Sequence, residues 1–149
     1  MITDLVAKAA REAPLPAYVY ALDHLDAHMA AIAAAVRTGP GRVEIHYAAK
    51  ANPDPGVLAT VARHVDGIEV ASGGELAHVR DVLGPDVPIA FGGPGKTDEE
   101  LAAAARQADR VHVESRLEVR RLAAAARAAG TRVKALLRVN VPGGVGGVL

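Results

Sequence analysis

The chain has 149 residues, half of them hydrophobic, which is enough for one folded domain with its own core. Its 17 basic and 17 acidic residues cancel, so no net field would draw it to nucleic acid or to an anionic membrane, and no apolar run is long enough to cross a bilayer. Cysteine is absent, which excludes a disulfide framework and thiolate chemistry and fits a cytoplasmic protein.

Taken in chain order, two helices are predicted first, at about 3–13 and 22–37, with a short extended piece at 17–20 between them. Short β-branched runs then alternate with alanine-rich stretches, as in strand–helix units. The runs predict strands at 43–49, 67–71, 88–91, 110–113 and 132–139. The stretches between them predict helices at about 55–64, 73–83, 98–108 and 116–129.

Capping signals mark several helix ends. The segments 72–75, 97–100 and 115–118 each have a serine or threonine followed three residues later by glutamate, which is the capping-box spacing. Gly84, followed by proline, and Gly130 are typical of positions just after a helix.

Repeated strand–helix units predict an α/β protein with a parallel sheet. The residues alone leave two closures open, a doubly wound sheet or an eight-stranded barrel. No strand is followed by a Gly-x-Gly-x-x-Gly turn, which disfavours a dinucleotide-binding sheet. A complete barrel needs about 250 residues, so five units would form an incomplete one. The breaker-rich segment 142–147 suggests a truncated chain.

Side-chain alternation along the strands predicts which residues face the interior. On the first strand the outer set is Val43, Ile45 and Tyr47, and the inner set is Glu44, His46, Ala48 and Lys50. On the later strands the inner sets are Gly67, Glu69 and Ala71, then His112 and Glu114, then Lys134, Leu136, Arg138 and Asn140. Lys50, Glu69 and Arg138 are therefore predicted to converge at the C-terminal mouth, where catalytic groups of barrels collect.

Each of these residues also has a plainer interpretation. Lys50 could be a solvated surface lysine, and Arg138 could form a structural ion pair. His46 and His112 are more typical of packed or solvated histidines than of catalytic ones, and Glu75 of a helix cap. The remaining histidines lie in helical stretches without a metal-site context, so no metal is predicted.

The segment 91–97 ends in Gly-Lys-Thr, as a P-loop does. A P-loop requires glycine five positions before Gly95, and Ala90 stands there. Pro94 also removes a backbone donor from a loop whose donors should hold phosphate. These departures disfavour nucleotide hydrolysis.

Four segments, in order, resemble the diaminopimelate, ornithine and arginine decarboxylases, which carry pyridoxal phosphate on an alanine-racemase-like barrel. They are Leu15-Pro16-Ala17-Tyr18-Val19-Tyr20, Tyr47-Ala48-Ala49-Lys50-Ala51-Asn52-Pro53, Glu69-Val70-Ala71-Ser72-Gly73-Gly74-Glu75-Leu76 and Leu136-Leu137-Arg138-Val139-Asn140. The resemblance implies the N-terminal part of a fold-type III enzyme and a partial (β/α)8 barrel over residues 1–149. It further implies that residues 1–21 are a lead-in segment that pairs with a C-terminal β-domain absent here.

By this resemblance Lys50 is the catalytic lysine that forms a Schiff base with pyridoxal 5′-phosphate. Arg138 matches an arginine near the cofactor ring, and Glu69 stands where the family often has aspartate close to the cofactor. The family's stacking histidine, glycine-rich phosphate site, acidic partner of the pyridine nitrogen and cysteine-containing segment all come later than this chain reaches.

The resemblance implies a carboxy-lyase of the diaminopimelate decarboxylase type, with an amino acid as its small-molecule substrate, and a homodimer at full length. Two alternatives remain open: a decarboxylase of a siderophore- or carrier-linked amino acid, which the segment 91–97 favours, and a pyridoxal-phosphate-binding protein without turnover. The 149-residue piece alone is expected to be inactive, because five of eight strands leave a parallel edge unpaired.

Overall fold

The computed structural model describes residues 2–139, which form six α-helices and five β-strands. The helices are α1 (Ile2–Glu12), α2 (Leu22–Arg37), α3 (Pro55–Val61), α4 (Gly73–Leu83), α5 (Asp98–Gln107) and α6 (Arg116–Ala129). The strands are β1 (His46–Ala48), β2 (Gly67–Val70), β3 (Ile89–Phe91), β4 (Arg110–Val113) and β5 (Lys134–Leu137). None of these helices is long and apolar enough to span a membrane.

All strand pairs are parallel, and the strands lie side by side in sequence order from β1 to β5. A helix follows each of the first four strands and returns the chain to the start of the next. A doubly wound sheet would reverse its strand order at a switch point, whereas sequential order is that of a barrel. The α/β prediction is confirmed, and the described part of the chain is a partial (β/α)8 barrel.

Alternation along the strands builds the core on the side of the helices. Ile68 and Val70 of β2 and Phe91 of β3 are fully buried, and they belong to one cluster with Leu76 of α4 and Leu101 of α5. The polar residues between them in sequence face the other side of the sheet. The predicted inward direction of Glu69 is therefore confirmed, because its strand neighbours occupy the opposite, apolar side.

Of the three predicted capping boxes, the one at the start of α5 is complete: Thr97 accepts the Glu100 N–H, and Glu100 accepts the Thr97 N–H. At the starts of α4 and α6 the serine caps the helix as expected. The glutamate side chain, however, accepts the N–H of the residue before the serine and not that of the serine itself. Glu75 accepts the Ala71 N–H and Glu118 accepts the Glu114 N–H.

The physical reason for this difference is the backbone at the cap. The two capping serines have φ near −150°, which continues the preceding strand, whereas Thr97 has φ of −73°. The angle φ is a rotation about the N–Cα bond, so its value turns the N–H of the cap residue toward the glutamate or away from it.

Several element boundaries differ from the prediction. The strand predicted at 43–49 spans only His46–Ala48, because the Ile45 N–H bonds to the Asp66 carboxylate instead of a strand partner. The strand predicted at 132–139 spans Lys134–Leu137, and the helix predicted at 55–64 ends at Val61 in a turn. Residues 17–20 form no strand, and Asn140 lies outside the described residues.

Candidate active site

One cavity of about 730 Å³ opens at the C-terminal ends of the strands. The residues that line it come from the ends of β1 to β5 and from the loops that follow them. They are Lys50, Glu69, Ala71, Gly92, Gly93, Pro94, His112, Leu136, Leu137 and Arg138. The three residues that the sequence predicted to converge, Lys50, Glu69 and Arg138, are all among them.

Lys50 lies directly after β1, at the C-terminal end of the strand as the sequence predicted, and it occupies a single 3-10 turn, Ala49–Ala51. Ala49 is buried and anchors the turn, while the Tyr47 hydroxyl donates to the Asn52 carbonyl at 3.2 Å across it. Burial raises the pKa of the Tyr47 hydroxyl above its ordinary value, which is itself high enough to keep the group protonated and bonded at neutral pH.

The Lys50 side chain is exposed and lines the cavity. Within residues 2–139 it makes no hydrogen bond and no ion pair, so nothing in this part of the chain holds its amine away from a ligand. A neutral amine in this position can attack an aldehyde or carry a proton.

Two glycines form the wall of the cavity beside Glu69. A Cβ atom on Gly92 would lie 2.7 Å from the Glu69 Oε1 atom, and a Cβ on Gly93 would lie 1.7 Å from the Ala71 carbonyl oxygen. The Gly92 N–H also donates to the Val70 carbonyl at 2.8 Å, which fixes this loop to the end of β2. Glycine is required at 93 because the backbone of one strand end rests directly on the next, whereas the atoms closest to a Cβ at 92 belong to the side chains of Glu69 and His112.

Arg138 follows β5. The sequence left open whether it lies at the site or forms a structural ion pair, and in the structure it does both. It lines the cavity, and it forms an ion pair with Glu114 at 3.2 Å. Its backbone N–H donates to the Val113 carbonyl at 3.0 Å, which continues the β4–β5 ladder to the mouth. The Glu114 N–H is held in turn by Glu118 at 2.7 Å.

His112 is predicted on the inner face of β4 without a catalytic role, and the structure places it in the cavity wall. Its position on the inner face, predicted from side-chain alternation along the strand, was the signal that could have identified it as a site residue. Lys96, in contrast to His112, does not line the cavity. It is buried in an ion pair with Glu118, at 3.1 Å.

Comparisons with known proteins point to one family. The family model described as the pyridoxal binding domain of pyridoxal-dependent decarboxylases matches residues 22–144. The chain is 40% identical over 135 residues to the 2-[(L-alanin-3-ylcarbamoyl)methyl]-2-hydroxybutanedioate decarboxylase of Staphylococcus aureus, covering 90% of this chain and 33% of that protein. It is 35% identical over 136 residues to the diaminopimelate decarboxylase of Vibrio cholerae, covering 91% of this chain and 32% of that protein.

A solved structure agrees with these likenesses. The diaminopimelate decarboxylase of M. jannaschii matches with a TM-score of 0.76 at 25% identity, over 89% of this chain and 32% of that chain. The chain spans about a third of the length of the curated relatives it matches.

Proposed function

We propose, because this chain belongs to the pyridoxal-dependent decarboxylases through their pyridoxal binding domain, that it is the cofactor-holding part of an enzyme that decarboxylates an amino acid. The observation that carries this proposal is the single cavity that brings Lys50, Glu69 and Arg138 together at the C-terminal mouth of the barrel strands. Lys50 would hold pyridoxal 5′-phosphate covalently, and Glu69 and Arg138 would contact the bound cofactor.

The residues present fit this cofactor. A cavity of about 730 Å³ is within the usual range for small-molecule sites of about 300–1,000 Å³. A lysine amine stands at its mouth without a competing partner in the described residues, which suits attachment to an aldehyde. The glycines at 92 and 93 let the backbone after β3 lie directly against Glu69 and Ala71, which forms this wall of the cavity.

When bound, pyridoxal phosphate supplies an electron sink for the pair of electrons left on Cα as carbon dioxide departs. The bond that breaks joins Cα to the carboxylate carbon, and a proton must be added to Cα to complete the amine product. The Lys50 amine lies at the mouth and is the group in this chain best placed to deliver that proton.

Glu69 and Arg138 bring opposite charges to the cavity that Lys50 lines. Arg138 brings a guanidinium that can bind an anionic group of cofactor or substrate, and Glu114 holds it in place at 3.2 Å. Glu69 contributes a half-buried carboxylate, which favours a cationic partner beside it.

For the substrate we propose an amino acid of the diaminopimelate type. The alternative, an amino acid conjugated to a carrier such as citrate, is favoured by the 40% identity to the S. aureus enzyme that acts on such a compound. The two differ in the group attached to the far end of the amino acid, so they can be compared directly as substrates of one preparation.

We further propose that the lead-in segment 1–21 pairs with a C-terminal β-domain. Leu15 and Tyr18 support this proposal, since 68% and 91% of their surfaces are exposed within the described residues. We also propose a cytoplasmic homodimer, which sedimentation of the full gene product would show as twice the mass of one chain.

The 149-residue chain by itself should turn over little substrate. Strands β1 and β5 are not paired with each other in the described sheet, so the cavity is open along one side. Leu137 on the β5 edge is 74% exposed. An open edge of this kind favours aggregation over a stable site.

The test is release of carbon dioxide from meso-diaminopimelate and from the citrate conjugate by the full gene product loaded with pyridoxal phosphate. We expect turnover of one of the two and a loss of about a thousandfold in Lys50→Ala. Lys8→Ala, on α1, is the matched control and should keep full activity. Turnover that survives in Lys50→Ala, or that fails with both substrates, contradicts the proposal.

A further inference from the structure

His112 is a half-buried histidine in the cavity wall that the proposed chemistry does not use. It lies on β4, paired in register with Leu136 of β5. Within residues 2–139 its ring makes no hydrogen bond or ion pair, and the same holds for the carboxylate of Glu69 on β2. Two polar side chains thus lie in one cavity without a bonding partner in the described part of the chain.

Gly92 follows β3, which lies between β2 and β4 in the sheet. Its position shows how close the side chains of Glu69 and His112 are to each other. A Cβ atom built on Gly92 would lie 2.7 Å from the Glu69 Oε1 atom and 3.3 Å from the His112 Nδ1 atom. Both atoms border the same point, so they are within about 6 Å of each other. One water molecule can bridge that separation, and a small side-chain rotation can close it.

The charged and titratable groups at this site lie on or directly after four of the five strands, β1, β2, β4 and β5. They are Lys50 after β1, His46 on β1, Glu69 on β2, Arg110 on β4, and Glu114 with Arg138 at the ends of β4 and β5. Glu114 and Arg138 are paired with each other, and Arg110 is paired with Glu44 at 2.9 Å. The buried Nε of Arg110 on β4 and the ring nitrogens of His46 on β1 also make no hydrogen bond within the described residues. His112 is singled out because the contact at Gly92 places its Nδ1 atom beside the Glu69 carboxylate.

We propose that His112 is a positioning residue for Glu69: its Nδ1–H donates to the Glu69 carboxylate, directly or through one water, and holds that carboxylate toward Lys50. The absence of a side chain at Gly92 keeps the space between them open. This inference rests on the proposed function for the role of Glu69 at the cofactor, but the pairing itself does not depend on turnover.

A double-mutant cycle tests the pairing in two ways. The variants are His112→Leu, Glu69→Gln and the two combined, and the readouts are the thermal midpoint of the cofactor-free full gene product and the dissociation constant for pyridoxal phosphate. His112→Asn is the conservative variant, because an asparagine amide nitrogen reaches the position of Nδ1. His28→Asn, exposed on α2, is the matched control.

We expect non-additivity in both readouts, with a coupling of about fivefold in the dissociation constant. His112→Leu should weaken cofactor binding about tenfold, whereas His112→Asn and His28→Asn should stay within about threefold of the wild type. Additive thermal midpoints would overturn the pairing. Failure of pyridoxal phosphate to attach to Lys50 would instead contradict the proposed function, and the thermal cycle would still decide the pairing.

Discussion

The ammonium group of Lys96 lies 3.1 Å from a carboxylate oxygen of Glu118, and the two side chains are only 1% and 8% exposed. The ring of Phe91 lies 5.8 Å from the ammonium nitrogen. The other Glu118 oxygen accepts the Glu114 N–H at 2.7 Å. This buried pair connects the loop after β3 to the first turn of α6, next to Glu114, which is the ion-pair partner of Arg138.

Removal of one charge from this pair should be costly. Lys96→Met leaves Glu118 buried without its counter-ion, and we expect a loss of about 3–5 kcal/mol in the free energy of unfolding. Urea-induced unfolding would measure it. The matched control is Lys8→Met, because Lys8 forms an exposed pair with Glu12 at 3.9 Å and should contribute nothing measurable. Equal unfolding curves for the two variants would show that the buried pair is not important for stability.

A methyl group on Gly93 should disrupt the cavity wall. The new Cβ would lie 1.7 Å from the Ala71 carbonyl oxygen, so the two backbone segments would have to separate. We expect Gly93→Ala to destabilise the protein by about 3 kcal/mol and to weaken binding of pyridoxal phosphate at least tenfold. Thermal unfolding and equilibrium cofactor titration are the measurements.

The control for that substitution is Gly74→Ala, in the first turn of α4. There the nearest atom to a new Cβ is the Ser72 hydroxyl oxygen at 3.9 Å, so the space is open. Alanine in a helix should leave stability unchanged or raise it by about 0.5–1 kcal/mol. Equal losses in the two alanine variants would mean that close backbone approach does not explain the glycine at 93.

Glu100 should make stability depend on pH in the acid range. Its carboxylate accepts the Thr97 N–H and also the Gly73 N–H at the start of α4. These two bonds lower the pKa of the carboxyl group. A carboxyl whose pKa is lowered by folding stabilises the fold above its ordinary pKa, and that contribution is lost as the pH falls through the folded value.

Glu100→Gln should therefore cost about 1 kcal/mol at pH 7, since the partly solvated amide accepts more weakly than a carboxylate. At a pH below the folded pKa the wild type and the variant should be equally stable. Urea unfolding across the acid range measures this, with Glu99→Gln, exposed and adjacent, as the control. A deficit that stays constant down to the lowest pH would contradict the assignment.

Much of the fold could be predicted from local patterns in the sequence. The β4 and α4 boundaries match the structure because apolar alternation and a capping serine act within a few residues of each other. The start of β1 was wrong because it depends on a distant side chain, that of Asp66, which takes the Ile45 N–H. Such a contact leaves no local signal.

The site could be predicted in part for the same reason. Parity placed Lys50, Glu69 and Arg138 toward one mouth, and the structure brings them to one cavity, while their roles stay predictions. Lys50 itself lies in a turn that a strand pattern cannot foresee. The sequence disfavoured Lys96 as a P-loop lysine but gave no sign of its ion pair, because its partner Glu118 lies 22 positions further along.

The central claim is that the Lys50 amine is the group that bonds to the cofactor. Borohydride reduction of the full gene product loaded with pyridoxal phosphate, followed by peptide mapping, tests it directly. We predict one phosphopyridoxyl label, on the peptide that contains Lys50, and no label on that peptide in Lys50→Ala. A label on Lys96 or Lys134 instead would contradict the account.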